Sequence, residues 1–268
     1  MNWVLSGLGQ RIAAYLERAE QGYEPFTPSN PDALRATLRP GDVLLVEGNN
    51  RISGVIKYLT QSTWSHAALY VGPIGEREAA DGEPLVLVEA VLGQGVIGAP
   101  LSKYGQFHTR ICRPIGLTSD DCARVCTYAA ERIGFDYDVK NILDLMRFFL
   151  PRPPVPERWR RRMIALGSGE PTRAICSTLI AQAFEHVRYP ILPKVTRVES
   201  EAARQELLEI RHSSLYAPRD FDISPYFELV KPTITRGFDY RAMQWADRQV
   251  PEQGPELESP PITPQIAA

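Results

Sequence analysis

The sequence predicts an α+β fold. Short apolar segments of strand character, separated by Gly- or Asp-rich turns, occupy the first half of the chain. Helical periodicity dominates from about residue 119 onward. Strands that precede helices, instead of alternating with them, are typical of α+β proteins. The length of 268 residues is sufficient for one large core or two small ones.

Each element follows from a local pattern. The turn Pro40-Gly41-Asp42 introduces a strand over 43–46, and apolar residues at helical spacing predict a helix over 52–59. Alternating or continuous apolar runs predict strands at 66–71, 85–90, 95–99 and 109–114. Helical patterns predict helices at 119–133, 139–149 and 176–187, and the charged segment 199–210 predicts a further helix.

The two ends of the chain differ from its middle. Residues 3–20 predict an amphipathic helix, and four prolines between Glu24 and Pro40 predict a connector without long regular structure. The segment 250–268 is rich in Pro and Glu and predicts a disordered tail. We therefore expect an N-terminal helix and connector over 1–37, a main domain over 38–235 and an extension over 236–268.

Composition narrows the classes of function. A net charge of −2 disfavours a nucleic-acid-binding protein, and no apolar run is long enough for a membrane span. No signal peptide is recognisable, and four irregularly spaced cysteines do not form a disulfide framework, so we expect a cytoplasmic protein. Cys122 and Cys126 share a helix face, but no second pair completes a metal site, and we predict no metal or cofactor. Peripheral membrane contact through the 3–20 helix or the Arg158–Arg162 run stays open, as does the oligomeric state.

Two distant residues indicate a thiol nucleophile and its base. Cys176 lies at the start of an apolar helical run, where free backbone N–H groups and the helix dipole favour an anion. His66 precedes an apolar strand, which places its ring at a sheet edge. A buried, inert cysteine and a structural histidine are the alternatives. If the residues are catalytic, we expect them within hydrogen-bond reach or one water of each other.

Glu89 is the third candidate. It interrupts the apolar run 85–90, where an ionised carboxylate is costly unless it is paired. The N–H of a neighbouring imidazole would be a suitable partner, and the pairing would orient His66 toward the thiol. The alternative is an exposed residue at the end of a strand.

Five motifs carry a resemblance to a known family. They are Pro40-Gly41-Asp42, the segment from Trp64 to Gly72, Val88-Glu89-Ala90, the segment from Gly134 to Asp138 and the segment from Ile175 to Ile180. In this order they resemble the circularly permuted NlpC/P60 family of papain-like hydrolases, and most of all its YiiX/YebB-like subgroup. The permutation places histidine before cysteine, and the resemblance extends over about residues 38–230.

The resemblance implies a fold, an activity and roles. The fold would be permuted papain-like, an antiparallel sheet or small barrel packed on helices. Cys176 would be the nucleophile, His66 the base and then the acid, and Glu89 the residue that orients His66. Tyr137, with Ser65 and Ser177, would be a candidate for contact with substrate. The chain has Thr178 where the family often has glutamate, and the long insertion 151–173 is a candidate lid.

The predicted function is hydrolysis of an amide bond in a small peptide-like substrate. Cleavage or transfer of lipid acyl groups is the main alternative, because proteins similar to lecithin:retinol acyltransferase share the order of histidine before cysteine. A non-catalytic binding module on the same fold is the third reading. The presence of all three candidate residues, Cys176, His66 and Glu89, argues against it.

Overall fold

The computed structural model describes residues 31–91, 94–135, 175–200, 203–209, 213 and 216–232. Several predictions fall outside these ranges: the 3–20 and 139–149 helices, Tyr137, the 151–173 insertion, the Arg158–Arg162 run and the 250–268 tail. No described helix is long and apolar enough to cross a membrane.

The core is a six-stranded sheet. Its strands are β1 (Val43–Val46), β2 (His66–Tyr70), β3 (Leu87–Val91), β4 (Gly95–Ala99), β5 (Thr109–Pro114) and β8 (Phe227–Val230). They lie in the order β4-β3-β2-β1-β5-β8, and every neighbouring pair is antiparallel, which agrees with the predicted α+β class. The first five lie within two residues of their predicted bounds, because each is a short, mostly apolar run between turn residues; β1, for example, is buried at all four positions.

Helices cover both faces of the sheet. The helices are α1 (Pro31–Thr37), α2 (Arg51–Thr60), α3 (Ser119–Ala130), α4 (Ile175–His186) and α5 (Pro218–Asp222), with a 3₁₀ helix at Leu101–Tyr104. Buried residues of α3 and α4 form one apolar cluster with Val43, Leu45 and Leu69 of the sheet. Residues of α1 and the 3₁₀ helix form a second cluster with the alternate sheet residues Leu44 and Leu87. The two faces of β1 therefore each contact a separate helical layer.

The Pro40-Gly41-Asp42 turn is held by a buried ion pair. Arg113 donates from Nε to Asp42 Oδ1 at 2.9 Å and from Nη2 to Asp42 Oδ2 at 2.7 Å. Asp42 is 1% exposed, and Gly41 has a φ of +89°, a conformation that glycine adopts without strain. This bidentate pair fixes the entry to β1 against β5.

One predicted helix is wrong. Residues 199–210 do not form a helix: β6 (Lys194–Ser200) and β7 (Ala203–Glu209) pair as a separate antiparallel hairpin. The residues of β7 have only a weak preference for a helix, and pairing with β6, which contains Val and Thr, overrides that preference. The register sets Lys194 opposite Glu209 and Arg197 opposite Glu206.

Some elements were not predicted. The connector contains the seven-residue helix α1, which begins at Pro31, a position where proline is tolerated because the missing N–H would have no helical partner. The 3₁₀ helix, α5 and β8 are also absent from the prediction. They are too short for hydrophobic periodicity to reveal them.

Candidate active site

Cys176 lies in the first turn of α4. Its side chain is 5% exposed, and the helix buries Leu179, Ile180, Ala183 and Phe184 as its apolar pattern predicted. The thiol is hydrogen-bonded to the side chain of His66. At this position the first backbone N–H groups of a helix favour a negative charge.

His66 is the first residue of β2, where the strand leaves the loop that follows α2. It is the register partner of Val46 at the end of β1, and Ser65 N donates to Val46 O at 3.1 Å just before it. The His66 side chain is 21% exposed and hydrogen-bonds to both Cys176 and Glu89. The ring therefore bridges the two other candidate residues.

Glu89 lies in β3 with no exposed surface. Its Oε2 is 2.5 Å from His66 Nε2 and also accepts a hydrogen bond from the Tyr104 hydroxyl. Its Oε1 accepts from Lys103 Nζ at 2.5 Å. A buried carboxylate with three donors is paired, as the apolar run around it requires. Glu89 is therefore not the exposed strand-end residue of the alternative reading.

The charges of the cluster reinforce one another. Burial alone would lower the pKa of His66, but hydrogen bonds and charge interactions with Cys176 and Glu89 outweigh it and raise this pKa from 6.5 to about 10. Burial would raise the pKa of Glu89, but His66 and then Lys103 outweigh it and lower this pKa from 4.5 to about 2. The arrangement therefore favours a protonated His66 ring between the ionised Glu89 carboxylate and Cys176.

The pairing also defines the roles of the two ring nitrogens. His66 Nε2 meets Glu89, which leaves Nδ1 as the ring atom for Cys176. A carboxylate at Nε2 keeps a proton on that nitrogen, so Nδ1 is the atom that can accept a proton from a thiol and return it. Proton exchange with a nucleophilic sulfur is the chemistry that this geometry supports.

The other predicted contact residues have different surroundings. Ser65 is 2% exposed, and its Oγ accepts a hydrogen bond from Gly48 N at 2.9 Å. Ser177 is fully buried, and its Oγ donates to Tyr216 O at 2.6 Å. Both hydroxyls bind backbone groups inside the fold, so we expect them to support the site instead of touching substrate. Tyr137 lies outside the described residues.

The remaining cysteines have no comparable surroundings. Burial raises the pKa of Cys112 well above its ordinary value and that of Cys126 to about 12, and it also raises the pKa of Cys122. Within the described ranges, no group of three or more His, Cys, Asp or Glu side chains could hold a metal ion. Cys122 and Cys126 share a face of α3, where Cys122 Sγ donates to Pro40 O at 3.1 Å.

Lys103 and Tyr104 are the residues that sequence reasoning missed. They reach Glu89 from the 3₁₀ helix, which follows β4 directly. One signal was available, since a buried carboxylate needs more than one donor, and a Lys-Tyr pair lies soon after it in the chain. The sequence alone does not predict which of the nearby polar residues contact Glu89 in the folded protein.

Two comparisons with known proteins give a solved structure and a family. A crystal structure of the metalloprotein yiiX from Escherichia coli O157:H7 matches with 14% sequence identity and a TM-score of 0.43, over 72% of this chain and 96% of that chain. Residues 37–149, which include His66 and Glu89, match the model of a family described as permuted papain-like amidase enzymes, YaeF/YiiX, C92 family. This match confirms the predicted resemblance, the permuted papain-like fold class and the enzyme class: a cysteine hydrolase.

Proposed function

We propose that this protein hydrolyses an amide bond in a small peptide-like substrate through a thioester on Cys176. His66 acts as base and then acid, and Glu89 orients it. The observation that carries the proposal is the continuous series of hydrogen bonds from Glu89 through His66 to Cys176. Nucleophile, base and orienting group in contact are the features of an activated nucleophile.

The first half of the reaction forms the thioester. The Cys176 sulfur attacks the substrate carbonyl carbon, an S–C bond forms, and the carbonyl electron pair moves to oxygen. When the tetrahedral intermediate collapses, the C–N bond breaks and the His66 imidazolium gives its proton to the departing amine. The raised pKa of His66, about 10, keeps this proton in place at neutral pH until the leaving group needs it.

The second half releases the acid. His66, now neutral, accepts a proton from water as the water oxygen attacks the thioester carbon. The C–S bond breaks, the carboxylic acid leaves, and the thiolate–imidazolium pair is restored. Glu89 stays ionised throughout and stabilises the imidazolium, because its pKa lies near 2.

The start of α4 suits the oxyanion. The first N–H groups of a helix have no helical acceptor, and the Cys176 N–H lies among them. A donor aimed at the developing oxyanion typically lowers the barrier by about 3 kcal/mol. The same turn can thus stabilise both the thiolate and the tetrahedral intermediate.

The test is hydrolysis of a panel of peptide amides and acyl esters by the wild-type protein, with Cys176→Ala and, as a matched control, Cys122→Ala. We expect amide cleavage that Cys176→Ala abolishes and Cys122→Ala retains. Mass spectrometry of the quenched reaction should find the acyl group on the peptide that contains Cys176.

Three results would oppose the proposal. Turnover of acyl esters alone would favour the lipid acyl alternative. Amide turnover that survives Cys176→Ala would exclude Cys176 as the nucleophile. Binding without turnover or acylation in either class would favour a non-catalytic module.

A further inference from the structure

The 3₁₀ helix Leu101–Tyr104 brings two side chains to the back of the candidate site. Lys103 Nζ lies 2.5 Å from Glu89 Oε1, and the Tyr104 hydroxyl donates to Glu89 Oε2. His66 Nε2 meets the same Oε2. Each carboxylate oxygen therefore has a donor from the 3₁₀ helix, whether or not His66 is present.

We propose that Lys103 and Tyr104 are positioning residues, which hold the Glu89 carboxylate in the orientation that presents Oε2 to His66. This inference rests on the proposed function, in which Glu89 orients the base. Neither residue needs to touch substrate: each acts on the reaction through Glu89.

The charge balance of the buried cluster favours this role. Lys103 and a protonated His66 carry two positive charges, and Glu89 and a Cys176 thiolate carry two negative charges. A proton that moves between His66 and Cys176 stays inside the cluster and leaves the sum unchanged, and the charge of Lys103 beside Glu89 sets that sum at zero. Without Lys103, the fully buried Glu89 would leave an uncompensated negative charge whenever the thiol and imidazole are neutral.

Tyr104 is suited to be a permanent donor. It is 4% exposed, and burial together with the Glu89 charge raises its pKa well above the ordinary value. The hydroxyl therefore keeps its proton across neutral and mildly alkaline pH. The ring is packed edge-on against Phe107, with the centroids 5.9 Å apart, which restricts its movement.

The 3₁₀ helix is itself anchored. Ser102 N donates to Glu83 Oε1 at 3.2 Å, and Arg35 of α1 donates to the same oxygen at 2.9 Å. Leu101 and Tyr104 are buried in the cluster that includes Leu34 of α1. Because the 3₁₀ helix is fixed at several points, the side chains of Lys103 and Tyr104 have a restricted range of positions. A residue that orients Glu89 requires such a restriction.

Removal of Lys103 should raise the pKa of Glu89. The titratable groups that face Glu89 in the described structure are His66 of β2, Lys103 and Tyr104 of the 3₁₀ helix and, beyond His66, Cys176 of α4. Burial raises the pKa of Glu89, and Lys103 is one of the two cations that oppose it. Without Lys103, Glu89 takes up its proton at higher pH, and His66 loses its charged acceptor there.

The experiment measures the rate of Cys176 alkylation by iodoacetamide at pH 7. In Lys103→Met, we expect this rate to fall by about tenfold, the low end for the loss of a hydrogen bond to a charged group, because Lys103 is 38% exposed. Lys103→Arg keeps the charge and should restore the wild-type rate. Lys57→Met, which removes a lysine 3.6 Å from Glu47 outside the cluster, is the matched control and should leave the rate unchanged.

Tyr104→Phe tests the second contact. Loss of a hydrogen bond to a charged group is expected to slow alkylation at pH 7 by about tenfold or more. Tyr189→Phe is the matched control, because the Tyr189 hydroxyl donates to backbone oxygens of Ile115 and Tyr226 away from Glu89. Thermal unfolding of each variant separates a change in the site from a loss of the folded state.

The outcomes distinguish this inference from the proposed function. If wild-type Cys176 labels no faster than Cys122, the proposed function fails and this inference fails with it. If wild-type Cys176 labels fast while folded Lys103→Met and Tyr104→Phe match their controls, the proposed function stands and the positioning role is overturned. If Tyr104→Phe does not fold, the alkylation rates of Lys103→Met and Lys103→Arg decide alone.

Discussion

The titration of His66 gives a sharp check on the electrostatics of the site. The perturbation is Glu89→Gln, which keeps the shape and a hydrogen-bond acceptor but removes the negative charge. In the wild-type protein the pKa of His66 is raised from 6.5 to about 10, by Cys176 first and then by Glu89, against the opposing effect of burial. We expect the variant to lower this pKa.

The size of the change follows from the contact. Opposite charges about 4 Å apart attract by about 4 kcal/mol at an effective dielectric constant of about 20, and one pH unit corresponds to about 1.4 kcal/mol. A lone carboxylate would therefore raise the pKa of His66 by about 3. Lys103, 2.5 Å from the other oxygen of Glu89, offsets part of that charge. We take about half of the full effect, so the pKa of His66 in Glu89→Gln should lie near 8 to 9.

Cys176→Ala should lower the pKa of His66 further, because the interaction with Cys176 contributes more than that with Glu89. The double variant removes both anions and leaves the effect of burial unopposed. Its His66 pKa should then fall below 6.5, the ordinary value. This reversal distinguishes a buried ring with charged partners from a ring in water.

The assay is NMR of protein labelled with ¹⁵N-histidine, in which the four imidazoles are followed from pH 5 to 11. A His66→Gln sample assigns the resonance. A His66 midpoint that is the same in the wild-type protein and in Glu89→Gln would refute the claim that the Glu89 charge acts on the base. A double variant that titrates at or above 6.5 would refute the assigned effect of burial.

Two further outcomes follow from the same structure. Cys176 should alkylate faster near neutral pH than the other three cysteines, because among the described residues only Cys176 lies both at the start of a helix and beside an imidazole. Brief iodoacetamide treatment followed by mass-spectrometric mapping measures the labelling of each cysteine. Equal labelling of all four would favour an inert thiol. Asp42→Asn should lower the free energy of unfolding by about 3 kcal/mol, the low end for breaking a buried pair, since Arg113 keeps some contact with water. Urea unfolding checks it against Asp121→Asn, whose exposed pair should cost less than about 1 kcal/mol; equal losses would contradict the buried-pair argument.

The strands of the core were predictable because each is a short, mostly apolar run bounded by turn residues. Successive residues of β1 and β2 lie on opposite faces of the sheet, and the structure buries both faces, each in a different apolar cluster. The 199–210 segment had no such constraint. Its sequence suits a helix, and only its pairing with β6, a contact that composition does not reveal, makes it a strand.

The candidate site was predictable where one residue type was costly in its own context. Glu89 within an apolar run required a partner, and a cysteine at a helix start suggested a nucleophile, so the series from Glu89 to Cys176 followed from local chemistry. Lys103 and Tyr104 have ordinary surroundings in the sequence. They reach Glu89 because a four-residue 3₁₀ helix after β4 folds back over β3, and the position of so short an element depends on the tertiary structure.

The contacts of Glu89 also explain why a carboxylate suits this position. A neutral amide at residue 89 could still accept a hydrogen bond from His66, so orientation alone does not require a charge. Lys103 changes that balance, because its ammonium group lies 2.5 Å from Oε1 and would have no anion beside it among the described residues if residue 89 were neutral. An acid without Lys103 would also be costly, since Glu89 has no exposed surface. Glu89 and Lys103 thus stabilise each other, and a substitution of either one should be better tolerated when the other is also made neutral.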